Sequence, residues 1–339
     1  MAAKRVAAFG EVMMRLQVPG YDLLAQADTL KYSFSGTGVN VASALTRFGH
    51  AGHIVTTLPD NPLGDAALAS LRRLGVGETF VRRDGRTIGM YFLENGFGAR
   101  PSRVTYADRL SSSFNTAPEG AYDCEAIARE VDVLHFCGIT LAINDGVREH
   151  AKRLARAVKA QGGIVAFDCN YRPSLWGEDG YAKAKPHYME MLRLADIVFM
   201  NEKDALGILG MASGHHDRSA RLTDLIPQVA SEYGIGIVAG THRSINGDNT
   251  HSLQGFIWRE GAFAWSDLLT FSVYDRIGAG DAFASGIVHG ALEGWEPSRT
   301  VRFAVAAAML AHTVAGDTPM ASAAEVERAM GAAIGDVER

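Results

Sequence analysis

The chain has 339 residues, 47% hydrophobic and 21% charged, with a formal net charge of −5. That length and apolar share suffice for the core of one large α/β domain, alone or with a small accessory. With no cluster of Lys and Arg to track a phosphate backbone, nucleic acid is excluded as an expected partner. Cys124, Cys137 and Cys169 are far apart, with no Cys-x-x-Cys spacing and no adjacent His pair. They read as reduced core thiols, neither a disulfide framework nor a zinc site. Glu11 cuts the N-terminal apolar run short, which argues against a signal peptide. The longest apolar stretch, residues 303–315, contains His312 and is too short to span a bilayer. No membrane association is expected, and the cytoplasm is the expected location.

Residues 5–10 form a short apolar run ending in Gly10, as for a buried first strand. Val12, Met14, Leu16 and Val18 then alternate with Met13, Arg15 and Gln17, which predicts a strand with one wet face. Phe34-Ser35-Gly36-Thr37-Gly38-Val39-Asn40 opens a helix with Val41, Ala42, Leu45 and Phe48 on its apolar side. Gly36 and Gly38 let backbone approach a ligand closely, and Asn40 can hydrogen-bond hydroxyls. A plain turn-helix junction would use the same residues. From His53 the pattern is a strand and then a helix over 65–74. Residues 88–94 and 103–108 read as two strands joined by the Gly/Pro loop 95–102. This hairpin interrupts the βα rhythm, and with the strand at 12–18 it is read as a small β lid. Its Tyr91, Tyr106 and Arg109 would cover a substrate or form a dimer face.

The rhythm returns with strands at 131–136, 164–167 and 196–200 and helices at 147–159 and 181–194. Such alternation implies a parallel sheet covered by helices, with ligands at the carboxyl ends of the strands. Asp168-Cys169-Asn170-Tyr171-Arg172 and Asn201-Glu202 fall there. A further strand at 235–239 leads into a polar loop, 240–252. Helices at 297–313 and 323–333 close the chain.

The stretch 274–286 carries the chemistry. Phe271-Ser272-Val273-Tyr274 reads as a strand and Gly278-Ala279-Gly280 as a tight turn. Asp281 onward reads as a helix whose Gly286 and Gly290 allow close packing. Free N–H groups at that helix start, assisted by the dipole, form an anion site. The same dipole favours ionised Asp281, a carboxylate able to take a proton beside a bound anion, which suits phosphoryl transfer. Other signatures are missing: there is no Gly-Lys dipeptide for a Walker A loop, no Gly-x-Ser-x-Gly and no His-Glu-x-x-His. Phe283 stands where the dinucleotide fingerprint wants a third small residue.

Residues 275–281 resemble the Asp-Thr-x-Gly-Ala-Gly-Asp signature of the ribokinase-like carbohydrate kinases, the PfkB family. Gly36 to Ala42, Asp168 to Arg172 and Asn201-Glu202-Lys203-Asp204 occur in that family's order. Gly10-Glu11-Val12-Met13, Pro101 to Tyr106, Cys137-Gly138-Ile139-Thr140, the Asp168-to-Trp176 text and Asp275-Arg276 are most similar to its 2-keto-3-deoxygluconate kinases. The resemblance implies a doubly wound, mostly parallel α/β sheet flanked by helices. It implies one domain over 1–339, with lid strands from about 12–33 and 86–114. It also implies an enzyme that moves the γ-phosphate of ATP, with Mg2+, to the terminal hydroxyl of 2-keto-3-deoxygluconate. Asp281 would be the base and Gly278, Ala279 and Gly280 the anion hole. Gly36, Asn40, Tyr91, Tyr106, Arg109, Arg172 and Asp317 would meet the sugar acid, and Asn170, Asn201, Thr241, Arg243 and Gly247 the nucleotide. No residue would hold the metal directly, although Asp204 would reach it through water. A monovalent cation such as K+ is expected near Asp275. Arg109 and Arg172 suit the substrate carboxylate, because a guanidinium fork binds it bidentately. A dimer through the lid is expected. The alternatives are a kinase for the galactonate epimer, fructose, ribose or a nucleoside, and a non-catalytic sugar-binding protein on the same fold. The chain departs from the family text at Arg276 (usually Thr), at Asp204 (more often Glu) and in Gly240-Thr241-His242-Arg243, which replaces a Gly-rich adenine loop.

Overall fold

Two strands buried along nearly their whole length, β1 (Arg5–Phe9) and β8 (Val133–Cys137), sit at the middle of the molecule. Strands covered on both faces need such unbroken apolar runs. In this computed structural model, which describes residues 3–331, the remaining strands are β2 (Met13–Gln17), β3 (Lys31–Ser35), β4 (Ala51–Leu58), β5 (Val81–Arg83), β6 (Gly89–Glu94), β7 (Arg103–Ala107), β9 (Ile164–Asp168), β10 (Ile197–Phe199), β11 (Ile237–Ile245), β12 (His251–Arg259), β13 (Ala262–Trp265) and β14 (Leu269–Phe271). The large sheet runs β13-β12-β11-β10-β9-β8-β1-β4-β5, with β14 also on β12. From β5 to β11 every pairing is parallel, and β12 turns antiparallel.

Alternation along these strands sends side chains to two cores. Leu134, Phe136, Val165 and Phe167 pack against the helices Asp145–Ala160 and Gly180–Leu192 on one face. Val133, Ala166, Ile197 and Phe199 meet the helices Thr37–Arg47, Ala279–Leu292 and Pro297–Ala311 on the other. The last two helices lie very close. A Cβ at Gly286 would stand 2.6 Å from the Cα of Ala304, so a larger residue would push apart the element that carries Asp281. A second sheet of four strands, β3-β2-β6-β7, stands apart from the first. It combines the expected hairpin β6–β7 with β2, parallel to β6, and with β3. Among the described residues no helix is long and apolar enough to cross a membrane, and all three cysteines are free thiols.

Several expectations are corrected. The loop expected at 240–252 is mostly ladder, because β11 and β12 pair continuously from Ile237↔Arg259 to Ile245↔His251 around a short turn. The polar residues there belong to a hairpin whose tip, 247–249, is exposed, while His251, Ser252 and Leu253 on the returning strand are buried. The strand expected at 271–274 ends at Phe271. The amides of Tyr274 and Asp275 instead donate to the carbonyl of His312 just beyond the helix Pro297–Ala311, at 2.8 and 3.2 Å. The face of β2 read as wet carries Arg15, which is 1% exposed. The strands β12 and β13 and the helix Arg218–Tyr233 were not foreseen. The last helix is seen as Ala323–Ala329, and residues 332–333 of the expected span lie outside the described residues.

Candidate active site

The site is built around the start of the helix Ala279–Leu292. Gly278 has φ 84°, and a Cβ there would lie 1.7 Å from the carbonyl oxygen of Asp317, so only glycine fits. The first intrahelical bond is that of the Ala282 amide to the Gly278 carbonyl. The amides of Ala279, Gly280 and Asp281 therefore have no intrahelical acceptor, which leaves an anion-attracting mouth.

Asp281 is the third residue of this helix. Its Oδ2 accepts a 2.7 Å hydrogen bond from Nδ2 of Asn40, in the first turn of the facing helix Thr37–Arg47. Asn40 is oriented in turn by Thr318, whose hydroxyl donates to Oδ1 at 3.1 Å. Enclosure pushes the Asp281 carboxyl up to about 7, against the Asn40 bond and the Arg172 charge, which lower it. The helix dipole favours the ionised form of Asp281, as the sequence suggests. Desolvation is the larger effect. Asp168, at the carboxyl end of β9, is likewise pushed up to about 7 by enclosure and by the charge of Asp281.

Two cavities meet here. One, of about 430 Å³, lies between the small sheet and the strand ends. Gly36, Asn40, Gly278, Gly280 and Asp281 line it on one side, and Tyr91, Tyr106 and Arg109 on the other. Tyr106 is 55% exposed, and the Arg109 guanidinium lies 5.0 Å over its ring. Arg109 Nε donates to Glu11 Oε2 at 2.7 Å, and Glu11 Oε1 accepts from Ser112 and Asn115. Arg109 is thus an anchored cation. The second cavity, of about 550 Å³, takes in Asn201, Asp204, Thr241 and Ala279. Asp168, Asn170, Arg172, Arg243 and Gly280 line both. An anion could therefore pass from one cavity to the other beside Asp281.

The electrostatics favour a polyanion at this junction. Among the described residues Arg172, Arg243 and Arg276 make no salt bridge, and Arg172 donates only to the neighbouring Tyr171 carbonyl at 3.3 Å. Partial desolvation at the cavity wall, and to a lesser degree the nearby Arg276 charge, lower the pKa of Arg243. Asn170 takes a left-handed φ of 34°, which Asn tolerates, with its amide on Asp168 Oδ1 at 3.1 Å. Asn201 caps its helix, and its own amide donates to Asp204 Oδ2 at 2.9 Å. Asp204 is pushed up to about 6 by enclosure.

Two residues expected at the ligands stand elsewhere. Gly247 is in the exposed β11–β12 turn and lines neither cavity, because the ladder carries the hairpin tip away from the junction. Asp275 lies buried beneath the cavity floor. Asp317 reaches the first cavity, but its Oδ2 already accepts from Ser35 at 2.7 Å and from Tyr91, and its Oδ1 from Arg15.

Sequence reasoning gave no site role to Arg15, Ser35 or Glu11, and it set Asp168 among the residues at the ligand end of the sheet without assigning it one. For Arg15 no sequence signal existed, since its acidic partners are 260 and 302 residues away. Far from this site, His50 and His289 meet at 2.9 Å beside Glu293, a juxtaposition that spacing could not reveal.

The junction's free amides and unpaired arginines fit a nucleoside triphosphate, and Asp204 on the second cavity wall fits a metal-bound water. A monovalent cation at Asp275 does not fit. Oδ1 there accepts the Ile277 amide at 3.1 Å, and Oδ2 accepts Arg15 at 2.7 Å and the Gly316 amide at 3.2 Å.

Comparison with known proteins shows the family and the fold. The family model described as pfkB family carbohydrate kinase matches residues 3–324. The chain is 30% identical over 326 residues to the 2-dehydro-3-deoxygalactonokinase of Haloferax volcanii, covering 95% of each. It superimposes on the crystal structure of 2-dehydro-3-deoxygluconokinase from Thermotoga maritima with a TM-score of 0.92 and 32% identity, over 97% of this chain and 98% of that one. The ATP-bound fructokinase of Xylella fastidiosa, at 21% identity, shares the fold with a TM-score of 0.76 over 96% of this chain and 98% of that one. The fold is ribokinase-like, and the chain belongs to the PfkB family of carbohydrate kinases.

Proposed function

We propose that the chain transfers the γ-phosphate of ATP to the terminal hydroxyl of 2-keto-3-deoxygluconate. The observation that carries this reading is Asp281. It is a carboxylate tuned to about 7, held by Asn40, beside unpaired helix amides at the meeting of two cavities. A base of that pKa is half ionised near neutral pH and needs to receive the hydroxyl proton only late in phosphoryl transfer. With Oδ2 engaged by Asn40, Oδ1 is the atom that takes the proton. The Gly278–Gly280 turn and its helix mouth hold the transferring group, while Arg172 and Arg243 balance charge on the nucleotide phosphates. Bound with the nucleotide, Mg2+ would neutralise phosphate oxygens, with Asp204 reaching its water shell. Arg109, anchored by Glu11, and the tyrosines 91 and 106 form the acid-sugar end.

The names of the relatives favour a keto-deoxy sugar acid. That of the Haloferax volcanii protein supports a second reading, in which the galactonate epimer is the acceptor.

The test is an ADP-release assay with ATP and Mg2+, comparing 2-keto-3-deoxygluconate, its galactonate epimer, fructose and ribose. Preference for the keto-deoxy acids is expected, and Asp281→Asn is expected to lose nearly all turnover while keeping its fold. A higher kcat/KM for a neutral sugar would discard this account of the pocket. An Asp281→Asn enzyme with most of its kcat would remove Asp281 as base. Binding of a sugar acid without product under any nucleotide would favour the non-catalytic alternative.

A further inference from the structure

Arg15 is among the largest side chains that are fully enclosed, at 1% exposure. A guanidinium taken out of water must be met by acceptors, or the fold cannot tolerate it. Here Nη2 donates to Asp275 Oδ2 and to Gln17 Oε1, both at 2.7 Å, and Nη1 donates to Asp317 Oδ1. The two carboxylates are otherwise bonded by neutral donors: the amides of Ile277 and Gly316 on Asp275, and the hydroxyls of Ser35 and Tyr91 on Asp317.

The positions of these partners give the cluster its meaning. Asp275 stands three residues before Gly278, and Gly278 packs directly on the Asp317 carbonyl. One cation on β2 therefore pins both segments that shape the amide turn. Ser35 at the end of β3 and Tyr91 on β6 tie the same point to the small sheet. A monovalent ion near Asp275 would need several free oxygens, yet Asp275 offers oxygens already engaged by N–H donors. A second cation beside the guanidinium would also be repelled in this enclosed setting.

We propose that Arg15 is a positioning residue: it locks the Asp275–Gly278 turn against Asp317 and is itself the permanent cation at Asp275, so the protein needs no monovalent ion there. The inference rests on the reading of residues 278–280 as the anion site.

The experiment compares the parent with Arg15→Lys and Arg15→Met. Thermal midpoint and steady-state turnover are measured in potassium chloride and in tetramethylammonium chloride at equal ionic strength. For the parent, the expected result is a midpoint equal within about a degree and a kcat equal within about twofold in the two salts. Arg15→Met is expected to lose kcat by about a hundredfold, the scale of losing an oriented oxyanion donor. Arg15→Lys, which keeps the charge, is expected to recover at least a tenth of the parent rate. A parent that is stabilised by potassium by several degrees, or that loses most turnover without it, overturns the proposal. So does an Arg15→Met enzyme with parental kcat, or an Arg15→Lys enzyme no better than Arg15→Met. If Arg15→Met fails to fold, the parent's salt comparison and the Lys variant still decide. If no acceptor is turned over at all, the function reading fails instead, and the midpoint comparison still tests the ion.

Discussion

Asn40→Ala offers the sharpest test of the base. The Asn40 amide donates to Asp281 at 2.7 Å and lowers its pKa, while enclosure holds it at about 7. A hydrogen bond to a charged group contributes about 1.5–3 kcal/mol, and one pKa unit corresponds to about 1.4 kcal/mol. Removing the donor should therefore move the Asp281 titration up by about one to two units. At pH 7 the ionised fraction would fall from about one half to between about a tenth and a hundredth, so kcat/KM there should drop roughly five- to fiftyfold. The loss should be recovered largely by pH 9 to 10. Asn40 also faces the acceptor cavity, so a lost sugar contact would lower the high-pH plateau, whereas the base effect moves the acid limb. The two are read separately from kcat/KM for the sugar acid across pH 5.5–10. Asp168 and Asp281 influence one another, so the limb belongs to the pair, but the direction of its shift does not change. A limb that stays in place, or moves to lower pH, would refute Asp281 as the titrating base held by Asn40.

Two further outcomes test the electrostatics and the assembly. Asp168 has a folded-state pKa of about 7, above its unfolded value near 3.8, so the folded protein binds the extra proton and this residue's contribution to stability is lost as pH rises toward 7. Asp168→Asn should gain thermal midpoint relative to the parent as pH goes from 5 to 8. A constant gap would mean that the acid is not desolvated as described, and taking the difference cancels the opposing effect of the buried histidines. We also expect a dimer through β7, the sheet-edge strand whose residues 103–106 are all exposed. Light scattering should give twice the chain mass for the parent and the chain mass for Thr105→Pro, and a monomeric parent would end the idea.

How much was legible depended on whether the signal was local. The turn and helix at 278–286 could be read because glycine conformational need and helix-start chemistry are written in adjacent residues. The parallel sheet could be read because β1 and β8 are apolar at nearly every position. Arg15 could not, because alternation along β2 separates apolar from polar positions without saying which face is dry. Its face is dry only because Asp275 and Asp317 arrive there from distant segments. The ladder β11–β12 was hidden because its paired residues are mostly polar and many are exposed, so the stretch 240–252 read as loop although it pairs residue by residue.

That distinction bears on how the site works. A desolvated Asp281 is a stronger proton acceptor than an exposed one, but the same desolvation threatens to leave it protonated and inert. Asn40 and Arg172 oppose that tendency from two directions and leave the group balanced near neutrality. Asp275 and Asp317 sit close by in a comparably enclosed place, and Arg15 supplies their compensating charge. The structure thus separates the acids by partner. Those joined to a guanidinium are held in place by Arg15, and the one held by a neutral amide keeps a proton it can exchange. If the partners were exchanged, with a cation on Asp281 and an amide on Asp275, the base would become too weak to accept a proton and the turn would lose its anchor.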